Sequence, residues 1–177
     1  NNLIAWNKEN EVFATVQTKD GNGTDEGDKE ETKAGWVTNA DGTWSYNKAD
    51  GTKTTGWLLD GSTWYYFNAN GVMQTGWVNV NGTWYYLNPV SNGYKGAMQT
   101  GWLNDNGTWY YLQSNGAMKT GWLNDNGTWY YLNSNGSMKT GWLNDNGTWY
   151  FLQSNGAMAK NTTVDGYKLG SNGAWIR

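Results

Sequence analysis

Trp102 and Trp109 stand 7 residues apart, and the same pair recurs at Trp122 with Trp129 and at Trp142 with Trp149, each 20 residues further on. Two earlier pairs, Trp57 with Trp64 and Trp77 with Trp84, keep the spacing, while Trp36 with Trp44 is one residue longer. Indole side chains do their chemistry without titrating: their π faces carry negative potential and attract cations by roughly 0.5–2 kcal/mol per contact. Fourteen tryptophans in 177 residues exceed what packing requires, since leucine or valine would fill a core more simply. Two roles are therefore open to them, a stacking spine and the walls of cation cages, and both can hold at once.

The elements that must position these rings follow from a repeated stretch. TGWLNDNGTWYYL at Thr100 to Leu112 recurs at Thr120 to Leu132 and, with one change, at Thr140 to Leu152, so the chain is a tandem array. Asn106-Gly107 between two aromatic-rich runs predicts a two-residue β-hairpin turn with both central residues at positive φ. That turn sets Asp105 opposite Thr108, Asn104 opposite Trp109, Leu103 opposite Tyr110 and Trp102 opposite Tyr111. Side-chain alternation then puts Trp102, Trp109 and Tyr111 on one face and Leu103, Tyr110 and Leu112 on the other. A lone hairpin is marginal in water. With apolar groups on both faces, these hairpins are expected to stack on one another as a solenoid. Ser114-Asn115-Gly116 and its copies turn the chain into the next hairpin, and the methionine that follows (Met73, Met98, Met118, Met138, Met158) is expected to fill the gap between units.

Two indoles of one hairpin and the same-face tyrosine of the next would make three walls without positive charge. Such a cage suits a quaternary ammonium ion, which has no hydrogen-bond donor to satisfy.

The ends and irregularities of the array read as follows. Residues 1–16 hold Trp6 and Phe13, again 7 apart, as in a worn hairpin. Residues 17–33 are charged and glycine-rich and read as a solvated loop or linker. A weaker reading makes them a calcium loop, with Asp20, Asn22, Thr24, Glu26, Asp28 and Glu31 at ligand positions, although Asp25 stands where the sharp turn wants glycine. In the Trp36 hairpin a three-residue loop, Ala40-Asp41-Gly42 with Gly42 left-handed, restores Trp36 opposite Tyr46. Gly61-Ser62 predicts a type II′ turn. The segment NPVSNGYKGAM is five residues longer than its counterpart NSNGSM and makes an exposed insertion carrying Pro89 and Tyr94. At the other end Asp165-Gly166 makes the last turn, both repeat tryptophans are missing and Trp175 falls where earlier units carry methionine, as expected of a cap.

Composition excludes several classes. A net charge of −3 and a pI near 4.8 leave no electrostatic footprint for nucleic acid. No apolar run approaches the roughly 20 residues needed to cross a membrane, so membrane insertion is not expected. Without histidine or cysteine there is no common catalytic triad and no His-ligated zinc. Asp105, Asp125 and Asp145 sit beside turns, where a structural role is expected. Residues 1–33 hold enough carboxylates for a glycosidase-type pair, but so short a segment could hardly enclose a substrate cleft. A non-catalytic chain without cofactor is the expectation. Opening on asparagine rather than methionine, it is expected to be a mature or excised segment, and the absence of cysteine fits a secreted bacterial protein.

GWLNDNGTWYYLNSNGSMKT resembles the choline-binding repeat of Gram-positive cell-surface proteins, and the resemblance covers about residues 34–175. Paired tryptophans with Trp-Tyr-Tyr after the turn set it apart from glucan-binding repeats, which are richer in Tyr-Phe. The resemblance implies an all-β fold, a left-handed β-solenoid of stacked hairpins with degenerate end caps. It also implies attachment at the cell surface to phosphocholine on teichoic and lipoteichoic acids. Residues 1–33 would be the degenerate hairpin and acidic loop, and 34–177 the solenoid, with repeats near 35–55, 56–75, 76–100, 101–120, 121–140 and 141–160 and a cap at 161–177. The family's cage joins both tryptophans of one repeat to the second tyrosine of the next. Carried over, that gives Trp36 and Trp44 with Tyr66, Trp57 and Trp64 with Tyr86, Trp77 and Trp84 with Tyr111, and Trp102 and Trp109 with Tyr131. Trp122 and Trp129 meet Phe151, and Trp142 and Trp149 depend on Trp175 or Tyr167 to close their cage. A wall hydrolase carrying such repeats, a glucan-binding protein and an adhesin facing a host protein are the alternatives.

Overall fold

The hairpin-tip dipeptides Asn81-Gly82, Asn106-Gly107, Asn126-Gly127, Asn146-Gly147 and Asp165-Gly166 become tight turns with both residues at positive φ: Asn106 and Gly107 lie at 51° and 89°, Asp165 and Gly166 at 50° and 82°. Asparagine, aspartate and glycine enter this region at least cost, which is why the turn is set locally. Gly61 at 64° begins the Gly61-Ser62 turn, and Gly42 at 85° closes the loop of the first hairpin. Asp41 holds that loop, its Oδ1 accepting from the Thr43 amide and hydroxyl at 2.9 and 2.6 Å. Those two bonds keep the Asp41 carboxyl below its ordinary pKa.

The structure, a computed structural model, describes residues 34–177. The worn hairpin expected near Trp6 and Phe13 and the candidate calcium loop of Asp20, Asn22, Thr24 and Glu31 lie outside them. Fourteen strands follow in order: β1 (Gly35–Thr38), β2 (Trp44–Asn47), β3 (Gly56–Asp60), β4 (Thr63–Phe67), β5 (Gly76–Val80), β6 (Thr83–Leu87), β7 (Gly101–Asp105), β8 (Thr108–Leu112), β9 (Gly121–Asp125), β10 (Thr128–Leu132), β11 (Gly141–Asp145), β12 (Thr148–Leu152), β13 (Thr162–Val164) and β14 (Tyr167–Leu169). Among the described residues there is no helix. β7 pairs with β8 antiparallel in the expected register, Trp102 opposite Tyr111 and Asp105 opposite Thr108, and β9 with β10 and β11 with β12 repeat it. In β1 and β2 Trp36 does stand opposite Tyr46. The chain is thus all-β and built of antiparallel hairpins, as expected.

These residues form two compact units, one of residues 34–79 and 86–98 and one of 80–85 and 99–177. In the second unit, successive hairpins are joined through the methionine segments. Met138 donates its amide to the Trp109 carbonyl of the preceding hairpin at 2.8 Å, Met158 to Trp129 at 2.8 Å, and Trp175 to Trp149 at 2.9 Å. In this unit the side chains of Met118, Met138 and Met158 pack against the turn glycines Gly136, Gly156 and Gly173 of the next repeat, filling the gap between repeats. A Cβ added at Gly136 would come within 2.3 Å of the Met118 sulfur, and one at Gly156 equally close to Met138. A side chain there would have to displace the methionine and take a φ of 86° or 87°, which L residues rarely adopt. Leu112, Leu132 and Leu152, which end the second strand of each hairpin and bridge to Met118, Met138 and Met158, are fully buried. In the first unit, Trp36, Tyr65, Phe67 and Met73 form the core, with Trp44, Tyr46 and Leu58 packed against it.

Candidate binding site

The repeated hairpins bring their two tryptophans together at right angles. Trp122 and Trp129 have ring centroids 6.3 Å apart at 84°, and Trp102 and Trp109 are 6.5 Å apart at 82°. An edge-to-face corner of this kind suits the ring quadrupoles and leaves indole faces free to line a cavity. The second tryptophan of each pair is also the more open, with Trp109 41% and Trp129 39% exposed.

The third wall differs from the one expected. Tyr130, not Tyr131, meets the Trp102 ring, at 4.8 Å, and Tyr150, not Phe151, meets Trp122, also at 4.8 Å. Tyr66, Tyr86, Tyr111, Tyr131 and Phe151 each lie instead against the tryptophan of their own hairpin, Trp57, Trp77, Trp102, Trp122 and Trp142, at 4.9–5.2 Å. The reason is the alternation of side chains combined with head-to-tail stacking. A repeated unit presents its tryptophan face to the opposite face of the next, and on that face stands the first tyrosine of the Trp-Tyr-Tyr run.

Around Trp122 and Trp129 the cage is completed by Tyr150, Met158 and Asn172, which together line a cavity of about 250 Å³. The last cage is larger. Trp142, Trp149, Tyr167 and Trp175 line about 440 Å³, with Tyr167 5.6 Å from Trp142 and 5.4 Å from Trp175. Tyr167 and Trp175 both line it, an indole standing where the cavity at Trp122 has the Met158 thioether. Trp36 departs the other way. Only 8% exposed, it is surrounded by Trp44, Tyr46, Tyr65 and Phe67. Here Phe67 replaces the usual leucine and its ring reaches Trp36 at 5.6 Å, so this cluster is part of the core. Burial, reinforced by the charge of Asp60, pushes the Tyr65 hydroxyl above its ordinary pKa.

One feature of the site escaped the sequence reading. The aspartates beside the turns accept the indole N–H of the preceding hairpin: Trp36 donates to Asp60 at 2.8 Å, Trp102 to Asp125 at 3.0 Å, Trp122 to Asp145 at 2.9 Å and Trp142 to Asp165 at 3.1 Å. The signal for it was the constant offset of 23 residues in the last three pairs. Among the described residues, no group of three metal-ligating side chains is assembled.

This architecture can be placed among known proteins. The structure is similar to CbpJ of Streptococcus pneumoniae TIGR4, with TM-score 0.74 and 51% identity over 81% of this chain and 48% of that one. It is also similar to choline binding protein F of Streptococcus pneumoniae, with TM-score 0.75 and 49% identity over 84% of this chain and 49% of that one. That protein has been solved with a peptidoglycan analogue and, as CbpF, with ipratropium. The modular autolysin LytC of Streptococcus pneumoniae, solved with a synthetic peptidoglycan ligand, matches at TM-score 0.57 and 25% identity over 81% of this chain and 37% of that one. The chain thus spans about half the length of CbpJ and of choline binding protein F. Among curated proteins none matches. A family model, the choline-binding repeat, matches residues 54–95, 75–121 and 119–163, which together cover well over half of the chain. The chain belongs to the choline-binding repeat family.

Proposed function

We propose that this chain is a non-catalytic module that attaches a surface protein to phosphocholine on cell-wall teichoic and lipoteichoic acids. The trimethylammonium group would enter cages such as Trp122, Trp129 and Tyr150. The observation that carries this reading is the cage itself: perpendicular indoles, a facing tyrosine and a methionine, with no formally charged side chain among the residues that line it. A cation without hydrogen-bond donors suits such walls. The cages expected at Trp57 with Trp64 and at Trp77 with Trp84 belong to the same proposal. Single-site affinity for so small a ligand is weak. Several cages facing a repetitive polymer raise effective affinity by roughly 10²–10⁴ through multivalency.

A second reading keeps the anchoring and adds a context. The likeness to LytC favours a module of a wall hydrolase whose catalytic domain lies outside this chain.

Retention on purified walls tests the proposal. The chain is expected to bind walls that carry phosphocholine, to be released by free choline but not by equal sodium chloride, and to pass through walls that carry ethanolamine in its place. Equal retention on both walls, or capture by dextran instead, would refute it and favour a host-directed or glucan-binding role.

A further inference from the structure

An acidic residue accepting the first indole's N–H is kept across a change in the hairpin. Trp102 with Asp125, Trp122 with Asp145 and Trp142 with Asp165 all keep the 23-residue offset. In the first two of these the acid ends a strand, opposite the threonine after the turn. The cap hairpin is shorter, pairing Val164 with Tyr167, so its acid falls inside the turn, where Asp165 takes a left-handed φ of 50°. The bond to Trp142 survives the shift, at 3.1 Å.

A neutral acceptor would suffice to staple one hairpin to the next, and asparagine is plentiful in these turns. A carboxylate does something more. An indole N–H is a donor only, and an anion accepting it makes a charge-assisted bond that pushes electron density toward the ring faces. Those faces are cage walls. A fixed negative charge one hydrogen bond behind a wall also offsets the loss of hydration when a cation enters a site lined only by Trp122, Trp129, Tyr150, Met158 and Asn172.

We propose that Asp125, Asp145 and Asp165 are positioning residues that make the cages selective for positive charge, each by holding the first indole of the preceding hairpin through its N–H and placing an anion behind it. The inference rests on the cation-binding reading above and adds the origin of its charge selectivity.

The test compares choline with 3,3-dimethylbutan-1-ol, a neutral molecule of the same shape, each titrated into the whole chain while the assigned indole N–H resonances of Trp122 and Trp129 are followed by NMR. In Asp145→Asn, which retains an acceptor, choline affinity at this cage is expected to fall about three- to tenfold. Affinity for the neutral alcohol should stay within about twofold, because it gains nothing from the charge. Asp145→Leu, which also loses the bond, is expected to weaken both ligands. Equal losses for the two ligands in Asp145→Asn, or an unchanged choline affinity, would overturn the proposal and leave the aspartate as a staple. Should Asp145→Asn fail to fold, Asp125→Asn gives the same comparison at Trp102 and Trp109. If the wild-type chain shows no choline-dependent shift at any indole, the cation-binding reading itself fails, an outcome distinct from loss of selectivity alone.

Discussion

Trp122→Ala is expected to abolish the choline response of its cage and to destabilise the surrounding hairpins by about 2–4 kcal/mol, somewhat less than a fully buried tryptophan would cost. The indole packs against Trp129, Tyr131 and Tyr150 at 6.3, 5.2 and 4.8 Å and donates to Asp145, so one substitution removes a wall, three ring contacts and a hydrogen bond. A thermal melt should show a drop of roughly 5–12 °C. NMR at the Trp129 indole should show no saturable choline shift. Tyr150→Ala should weaken the same cage, whereas Phe151→Ala should act on the neighbouring one, because Phe151 packs on Trp142. A Trp122 cage that responds to Phe151→Ala and ignores Tyr150→Ala would contradict the geometry.

Leu132→Ala should lower stability further without touching a cage wall. Leu132 has no exposed surface and bridges to Met138, whose amide in turn binds the Trp109 carbonyl of the preceding hairpin. Truncating a leucine so enclosed costs about 2–5 kcal/mol, with the spread set by how far the cavity can collapse. Denaturant unfolding measures it. Choline at about 100 times its dissociation constant adds roughly 2.7 kcal/mol for each site that forms only in the folded chain. The variant should therefore be largely rescued by choline and not by sodium chloride. A loss below about 1 kcal/mol would mean that the leucine spine is not what joins the hairpins.

What could be read in the sequence was what neighbours in sequence decide. Asn106-Gly107 fixed its own backbone, the turn fixed the register of Trp102 against Tyr111, and alternation fixed the two faces. Even the longer first loop, with Gly42 left-handed, followed from the need to return Trp36 to Tyr46. The third wall was not legible in the same way, because it depends on which face meets which between hairpins 20 residues apart. The two faces had been separated correctly, and head-to-tail stacking would have chosen Tyr130 over Tyr131. The Trp36 cluster shows another limit. Phe67 in place of leucine adds a ring against the buried Trp36, a difference that spacing does not reveal. The carboxylates behind the indoles look like ordinary turn residues in the sequence because aspartate is common there and their partners lie a whole repeat away.

On the proposed function, choline enters cages formed between stacked hairpins. Tryptophan fluorescence during a choline titration, with a matched sodium chloride titration beside it, tests this most directly. A saturable change with choline alone is expected, accompanied by a rise in melting temperature that grows with choline concentration. A folded chain whose fluorescence and melting temperature are the same in choline and in sodium chloride would contradict it and leave the tryptophans as a stacking spine.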